Sequence, residues 1–111
     1  MEPASGCPFL DFAGVHAGER VLDIGCGTGA ITIALAERGC AAVGVDASEP
    51  YLEAARRERS HSKIGYEFGD ARQLSYSDGS FDACVSTLAI DVIPEVDQVA
   101  AEMRRVTHPA A

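Results

Sequence analysis

Three aspartates and three glycines carry the chemistry that can be read from this sequence. Asp23 stands in "VLDIGCGTG", two residues before the first of Gly25, Gly27 and Gly29. Asp46 closes "AAVGVD", nineteen residues beyond Gly27, and Asp70 follows Gly69 in "YEFGDAR". A carboxylate about twenty residues past a glycine turn is placed to accept hydrogen bonds from ribose hydroxyls. Glycines at alternate positions let the backbone adopt positive φ and come close to a ligand. The competing reading is that the acids merely cap turns and helices. It fits Asp70 better than it fits the three together.

These acids need elements to bring them to one place. Glu19 to Ile24 reads as a short buried strand, and Thr28 to Arg38 as a helix with Ala30, Ile31, Ala34 and Leu35 inward, stopped by Gly39. Cys40 to Val45 is a second apolar strand ending at Asp46. Ser48 can cap the next helix, which tolerates Pro50 in its first turn and turns Leu52 and Ala55 inward. Its polar tail, Arg56 to His61, is expected to fray. Ile64 to Phe68 makes a third strand, "YSDGS" a turn, and Phe81 to Ile90 a fourth strand continuous enough to be buried on both faces. Val96, Val99, Ala100, Met103 and Val106 mark a last helix, with acids at its start and arginines at its end. Alternation of this kind predicts one α/β domain over residues 1–111, a Rossmann-like parallel sheet with flanking helices. In such sheets ligands bind at the carboxyl ends of the strands, where all three acids fall.

Composition excludes several classes of partner. With 111 residues and a formal charge of −8, the chain is one domain at most and lacks the basic face of a nucleic-acid binder. Arg56, Arg57 and Arg59, and Arg104 and Arg105, are read as cations at helix C-termini. Cys7, Cys26, Cys40 and Cys84 form no CxxC pair, so no metal site is expected and reduced thiols in the cytoplasm are the default. No basic, apolar signal opens the chain, and no apolar run reaches the ~18 residues of a membrane span. His16, His61 and His108 fall in loops or near the end and are expected in solvent.

Two details choose the ligand. The glycines read GxGxG rather than GxGxxG, and Asp23 would repel a pyrophosphate at the helix N-terminus. A nicotinamide dinucleotide is therefore disfavoured. A carboxylate there suits a cation or an ammonium group, and S-adenosylmethionine offers both, with a ribose for Asp46 and an adenine near Asp70.

The chain also resembles the class I, seven-strand S-adenosylmethionine-dependent methyltransferases, in the small-molecule group related to the ubiquinone and menaquinone methyltransferases. "VLDIGCGTG" is similar to that family's first motif, and "VGVDAS" to its second-strand acid. "GDARQLSYSDGSFDACVSTLAI" resembles the third-strand acid through the fourth strand, and "EMRRVTHPAA" the helix before a Pro-Gly-Gly turn. The resemblance implies that Asp23 and the turn of Gly25, Cys26, Gly27 and Gly29 hold the methionine portion of S-adenosyl-L-methionine. It implies that Asp46 binds the ribose, with Ala47 and Ser48 beside the adenine, and that Asp70 and the backbone of Ala71 receive the adenine. Ser86, Thr87 and Leu88 would floor the site near the reacting methyl. Relatives often place histidine where Asp91 and Val92 stand, so Asp91 is a candidate base or acceptor-orienting group; helix capping before Pro94 is the favoured role.

Two departures qualify the resemblance. Pro109, Ala110 and Ala111 stand where the family has Pro-Gly-Gly, and a complete member would continue with a fifth strand, a helix and an antiparallel pair. The N-terminal lid helix is shortened to at most "PFLDFAG". A C-terminally truncated domain is the expectation, with the fourth strand as an open edge through which two copies could pair. An enzyme acting on a small-molecule acceptor is the leading function. A module or remnant that binds the cofactor without catalysis is the alternative.

Overall fold

The computed structural model describes residues 14–86 and 95–108. In chain order it contains β1 (Arg20–Ile24), α1 (Ala30–Glu37), β2 (Ala41–Asp46), α2 (Glu49–Glu58), β3 (Ile64–Phe68), β4 (Ala83–Ser86) and α3 (Val96–Val106). The four strands are parallel in the order β3-β2-β1-β4. The chain steps outward from β1 to β3, then returns across the sheet to place β4 on the other side of β1. Strand order therefore reverses beside β1, and a crevice for a ligand belongs at the carboxyl end of that strand.

The apolar runs make β1 the centre of this sheet. Val21, Leu22 and Ile24 are fully buried and divide between its two faces. Val21, Ala42 and Val85 pack with Ala34 and Leu35 of α1, while Leu22, Ile24 and Val45 pack with Leu74, Phe81 and Val106. Burying each such aliphatic side chain contributes roughly 1.5–3 kcal/mol.

Local signals set the helix ends. Gly39 at φ 94° follows the last turn of α1, with its N–H donating to the Ala36 carbonyl and that of Cys40 to the Leu35 carbonyl. These two bonds form a Schellman stop, which requires the left-handed residue at Gly39. Ser48 caps α2, its hydroxyl oxygen accepting from the Tyr51 N–H at 3.4 Å. Arg56 and Arg57 occupy the last turn of α2, and Arg104 and Arg105 that of α3.

Three expectations need correction. The tail of α2 does not fray at Arg56. The helix continues to Glu58 because the Arg56 guanidinium donates to Glu49 and to the Tyr66 carbonyl, and the Tyr66 hydroxyl donates to the Arg59 carbonyl at 2.8 Å. The inner face of α1 carries Ile31, Ala34 and Leu35 as expected, but Ala30 is exposed and Thr32 and Ala36 are buried as well. The expected fourth strand is described only as Ala83–Ser86, of which Val85 alone is buried. Among the described residues β4 has one strand neighbour, β1, and stands at an edge of the sheet; residues 87–90 of the expected strand lie outside the described residues. Phe81 instead makes a single parallel bridge to Thr107.

Cys26 and Cys40 are buried and Cys84 half-buried, all three as free thiols. His16, His61 and His108 are exposed, His108 with its ring against Asp82 at 2.5 Å. No helix among the described residues is long and apolar enough to cross a membrane.

Candidate functional site

The turn after β1 is fastened to β2. The N–H groups of Gly25 and Cys26 both donate to the Val45 carbonyl, at 2.8 and 3.1 Å. Gly25, Gly27 and Gly29 have φ of 75°, 58° and 92°, a region that side chains with a Cβ rarely adopt. Asp46 then locks the turn from the end of β2. Its Oδ2 accepts from the Gly27 N–H at 2.8 Å and its Oδ1 from the Ser48 N–H at 2.9 Å. Each carboxylate oxygen keeps a further lone pair for an outside donor.

The glycines do different work. A Cβ on Gly27 would meet nothing within 4 Å among the described residues, so this part of the turn is open to a ligand on their side. A Cβ on Gly29 would lie 2.5 Å from the Tyr66 hydroxyl, and one on Gly44 would lie 3.0 Å from both Cys26 and Tyr66. Gly44 is a packing glycine that sequence reasoning missed. Its signal was present as the isolated glycine inside "AAVGVD", a sign of close approach to a strand. Arg59 was also missed: its guanidinium donates to the Thr28 carbonyl at 3.0 Å and ties α2 to the turn.

Asp23 is fully buried. Its Oδ2 accepts from the Thr32 hydroxyl at 2.8 Å, and its Oδ1 is the buried side-chain oxygen that lacks a partner among the described residues. Burial pushes its carboxyl up to about 6; the Thr32 hydrogen bond opposes that rise and the charge of Asp46 adds to it. Burial likewise pushes the Cys26 thiol up to about 12, helped by Asp23 and Asp46, so Cys26 is a packed neutral side chain and not a nucleophile.

Asp70 has the opposite surroundings. It lies in solvent, where Arg72 grips it through Nε to Oδ1 at 3.0 Å, Nη2 to Oδ2 at 2.7 Å and its own N–H to Oδ1 at 2.9 Å. The Arg72 hydrogen bonds pull its carboxyl down to about 2. Ala71 packs against the Leu22 and Phe81 cluster. Ala47 is exposed, Ser48 is occupied as the α2 cap, and Ser86 lies beside Ile24 at the end of β4. The structure thus links Asp46, Ser48 and the glycine turn by hydrogen bonds, places Asp23 beneath them on β1, and starts the Asp70 loop beside Asp46, where the Gly69 N–H donates to the Asp46 carbonyl at 3.1 Å. Thr87, Leu88 and Asp91 lie outside the described residues. Among the described residues no three or more His, Cys, Asp or Glu side chains gather as a metal site.

A glycine turn held by Asp46 and following a buried Asp23, at the point where strand order reverses, now has a family. Residues 22–111 match the family described as "Methyltransferase domain". The chain belongs to that methyltransferase family. Methyltransferase GfsG of Streptomyces halstedii is 39% identical over 100 residues, covering 86% of this chain and 36% of its own length. Demethylmenaquinone methyltransferase of Beutenbergia cavernae is 36% identical over 100 residues, covering 90% of this chain and 41% of its own. Among solved structures, an S-adenosylmethionine-dependent methyltransferase from Mesorhizobium loti superposes with a TM-score of 0.84 at 28% identity, over 97% of this chain and 50% of that one. The chain spans about two fifths of the length of these curated relatives. The sheet and its helices are the Rossmann-like α/β fold of this methyltransferase family, whose cofactor is S-adenosylmethionine.

Proposed function

We propose that this methyltransferase domain binds S-adenosylmethionine across the carboxyl ends of β1 and β2 and serves methyl transfer to a small-molecule acceptor. One observation carries the reading: an open glycine turn lies between an enclosed acid with an unpartnered oxygen and a second acid oriented by backbone N–H groups. Both acids fit the cofactor. Asp46 retains acceptor capacity for the two ribose hydroxyls, and Asp23 lacks the cation that its charge calls for. When bound, the cofactor supplies a methyl group already activated on a sulfonium sulfur.

The work left to the chain is placement and exclusion of water. Gly25, Cys26, Gly27 and Gly29, with Asp23, would hold the methionine portion. Ala47 and Ser48 would flank the adenine, and Asp70 and Ala71 would receive it, with Arg72 sharing or releasing the Asp70 carboxylate. Ser86, Thr87 and Leu88 are assigned to the floor beside the methyl, and Asp91 to orienting the acceptor or capping the helix. The reading places the protein in the cytoplasm and leaves the outer edge of β4 as the route for pairing with a second copy.

Calorimetric titration tests it. Heat with S-adenosylmethionine and S-adenosylhomocysteine, and none with NAD, is the expected result. Folded protein that gives no heat with either adenosyl ligand would sink the proposal. Transfer of labelled methyl to a panel of small hydroxyl, amine and activated-carbon acceptors then separates an enzyme from a cofactor-binding module.

A further inference from the structure

Thr32 is the one buried neutral polar side chain of α1 among the described residues, and its hydrogen bond is unusual for a helix. A threonine in a helix commonly returns its hydroxyl to the carbonyl four residues back. Here that carbonyl, on Thr28, accepts from Arg59, while the Thr32 hydroxyl donates to Asp23 Oδ2 at 2.8 Å. The result is a carboxylate with one oxygen fixed and the other, Oδ1, enclosed and without a partner among the described residues. The positive charges near it come from α2 and its end: Arg59 bonds the Thr28 carbonyl and Arg56 acts on the Cys26 thiol, and among the described residues neither bonds Asp23. The residues beside it in the sheet are Gly44 and Val85. The titratable groups near it are Asp46 from β2, the Cys26 thiol on the turn and the Tyr66 phenol from β3.

We propose that Thr32 is a positioning residue, holding Asp23 so that Oδ1 is reserved for a cationic ligand group and binding of that group is coupled to release of the Asp23 proton. The inference rests on the reading of S-adenosylmethionine as the ligand, which brings an ammonium and a sulfonium. Without a cation, Asp23 keeps its proton up to a pH of about 6. A cation beside Oδ1 favours the ionised form, so below that pH binding must expel a proton. Affinity therefore falls about tenfold for each pH unit below the midpoint and is level above about pH 7. The Thr32 hydrogen bond favours the ionised carboxylate, so removing it moves the midpoint upward, by about one pH unit.

Calorimetry between pH 5 and 8 with S-adenosylmethionine, and with 5′-deoxy-5′-methylthioadenosine as a probe lacking both cationic groups, reads this coupling. The expected results are a sloping profile for the first ligand and a flat one for the second. The Thr32→Val midpoint should rise, and Thr32→Ser, which keeps the hydroxyl, should match the native chain. A flat profile with S-adenosylmethionine, or an unmoved midpoint in Thr32→Val, overturns the coupling and leaves the cofactor assignment standing. Absence of S-adenosylmethionine binding to folded protein at every pH overturns both. Carbon-13 NMR of the Asp23 carboxyl in the native chain covers the case in which Thr32→Val does not fold. Its titration midpoint should drop when S-adenosylmethionine is added, and an unchanged midpoint refutes the proposal.

Discussion

The carboxyl ends of β1 and β3 each offer an aspartate, and the two are solvated in opposite ways. Asp23 is enclosed, holds one hydroxyl on one oxygen and, among the described residues, nothing on the other, and has its carboxyl pushed up to about 6. Asp70 is half-exposed, gripped by Arg72 with its carboxyl pulled down to about 2. The first arrangement costs stability when the carboxyl is ionised. The second satisfies itself from its own loop, as exposed ion pairs do, and adds little. The two acids share a position at a strand end, and solvation is what differs between them.

The largest break in this contrast should come from pH. Folded Asp23 holds its proton to about pH 6 while the unfolded chain releases it near the ordinary 3.8. Between those values the native state binds more protons, so stability falls as pH rises, by about 3 kcal/mol across the window. Asp70, Asp82 and Glu102, all lowered, act in the opposite sense, losing stability as pH falls below their ordinary values of 3.8 to 4.5. Urea melts from pH 4 to 7 should show the Asp23 slope in the native chain and a flatter curve in Asp23→Asn. Equal slopes would mean that Asp23 is compensated.

A second test moves to the acid at the end of β2. Asp46→Ala should weaken S-adenosylmethionine binding by about 1–3 kcal/mol in calorimetry, because it removes acceptors for two hydroxyls and frees the Gly27 and Ser48 N–H groups. An unchanged affinity would put the ribose elsewhere. A smaller effect is expected from Tyr66→Phe, which deletes the bond from α2 to β3 beside Gly29. Chemical denaturation should register a loss of about 1 kcal/mol. Smallest of all should be Arg72→Ala. Its melting temperature should stay at the native value, while NMR titration shows the Asp70 carboxyl returning to the ordinary carboxylate range. A large drop in melting temperature would show that the β3 end is structural after all.

Much of this was legible in the residue order. The apolar runs of β1 and β2, the Gly39 stop, the Ser48 cap and the arginines closing α2 and α3 are local signals, read over a few neighbours each. They led to the alternating elements, the parallel sheet and the glycine turn at its carboxyl edge, and so to the family. The inner face of α1 was read in part: Ile31, Ala34 and Leu35 pack inward, while Ala30 is exposed because the start of the helix is set by how the turn leaves β1, which a helical period alone does not specify. Thr32 is buried as well, and with it the hydrogen bond to Asp23.

The same division holds for the site. By itself the sequence determined which residue types reach the carboxyl ends of the strands, because strand length and glycine spacing are short-range properties. Only the tertiary structure decided how they differ there. Burial of Asp23, the grip of Arg72 on Asp70, and the exclusion of a side chain at Gly44 by Cys26 and Tyr66 all depend on groups from separate elements meeting in space. Solvation and close packing are properties of that assembly, and they are what leave one aspartate enclosed with its carboxyl raised and the other bound to an arginine with its carboxyl lowered.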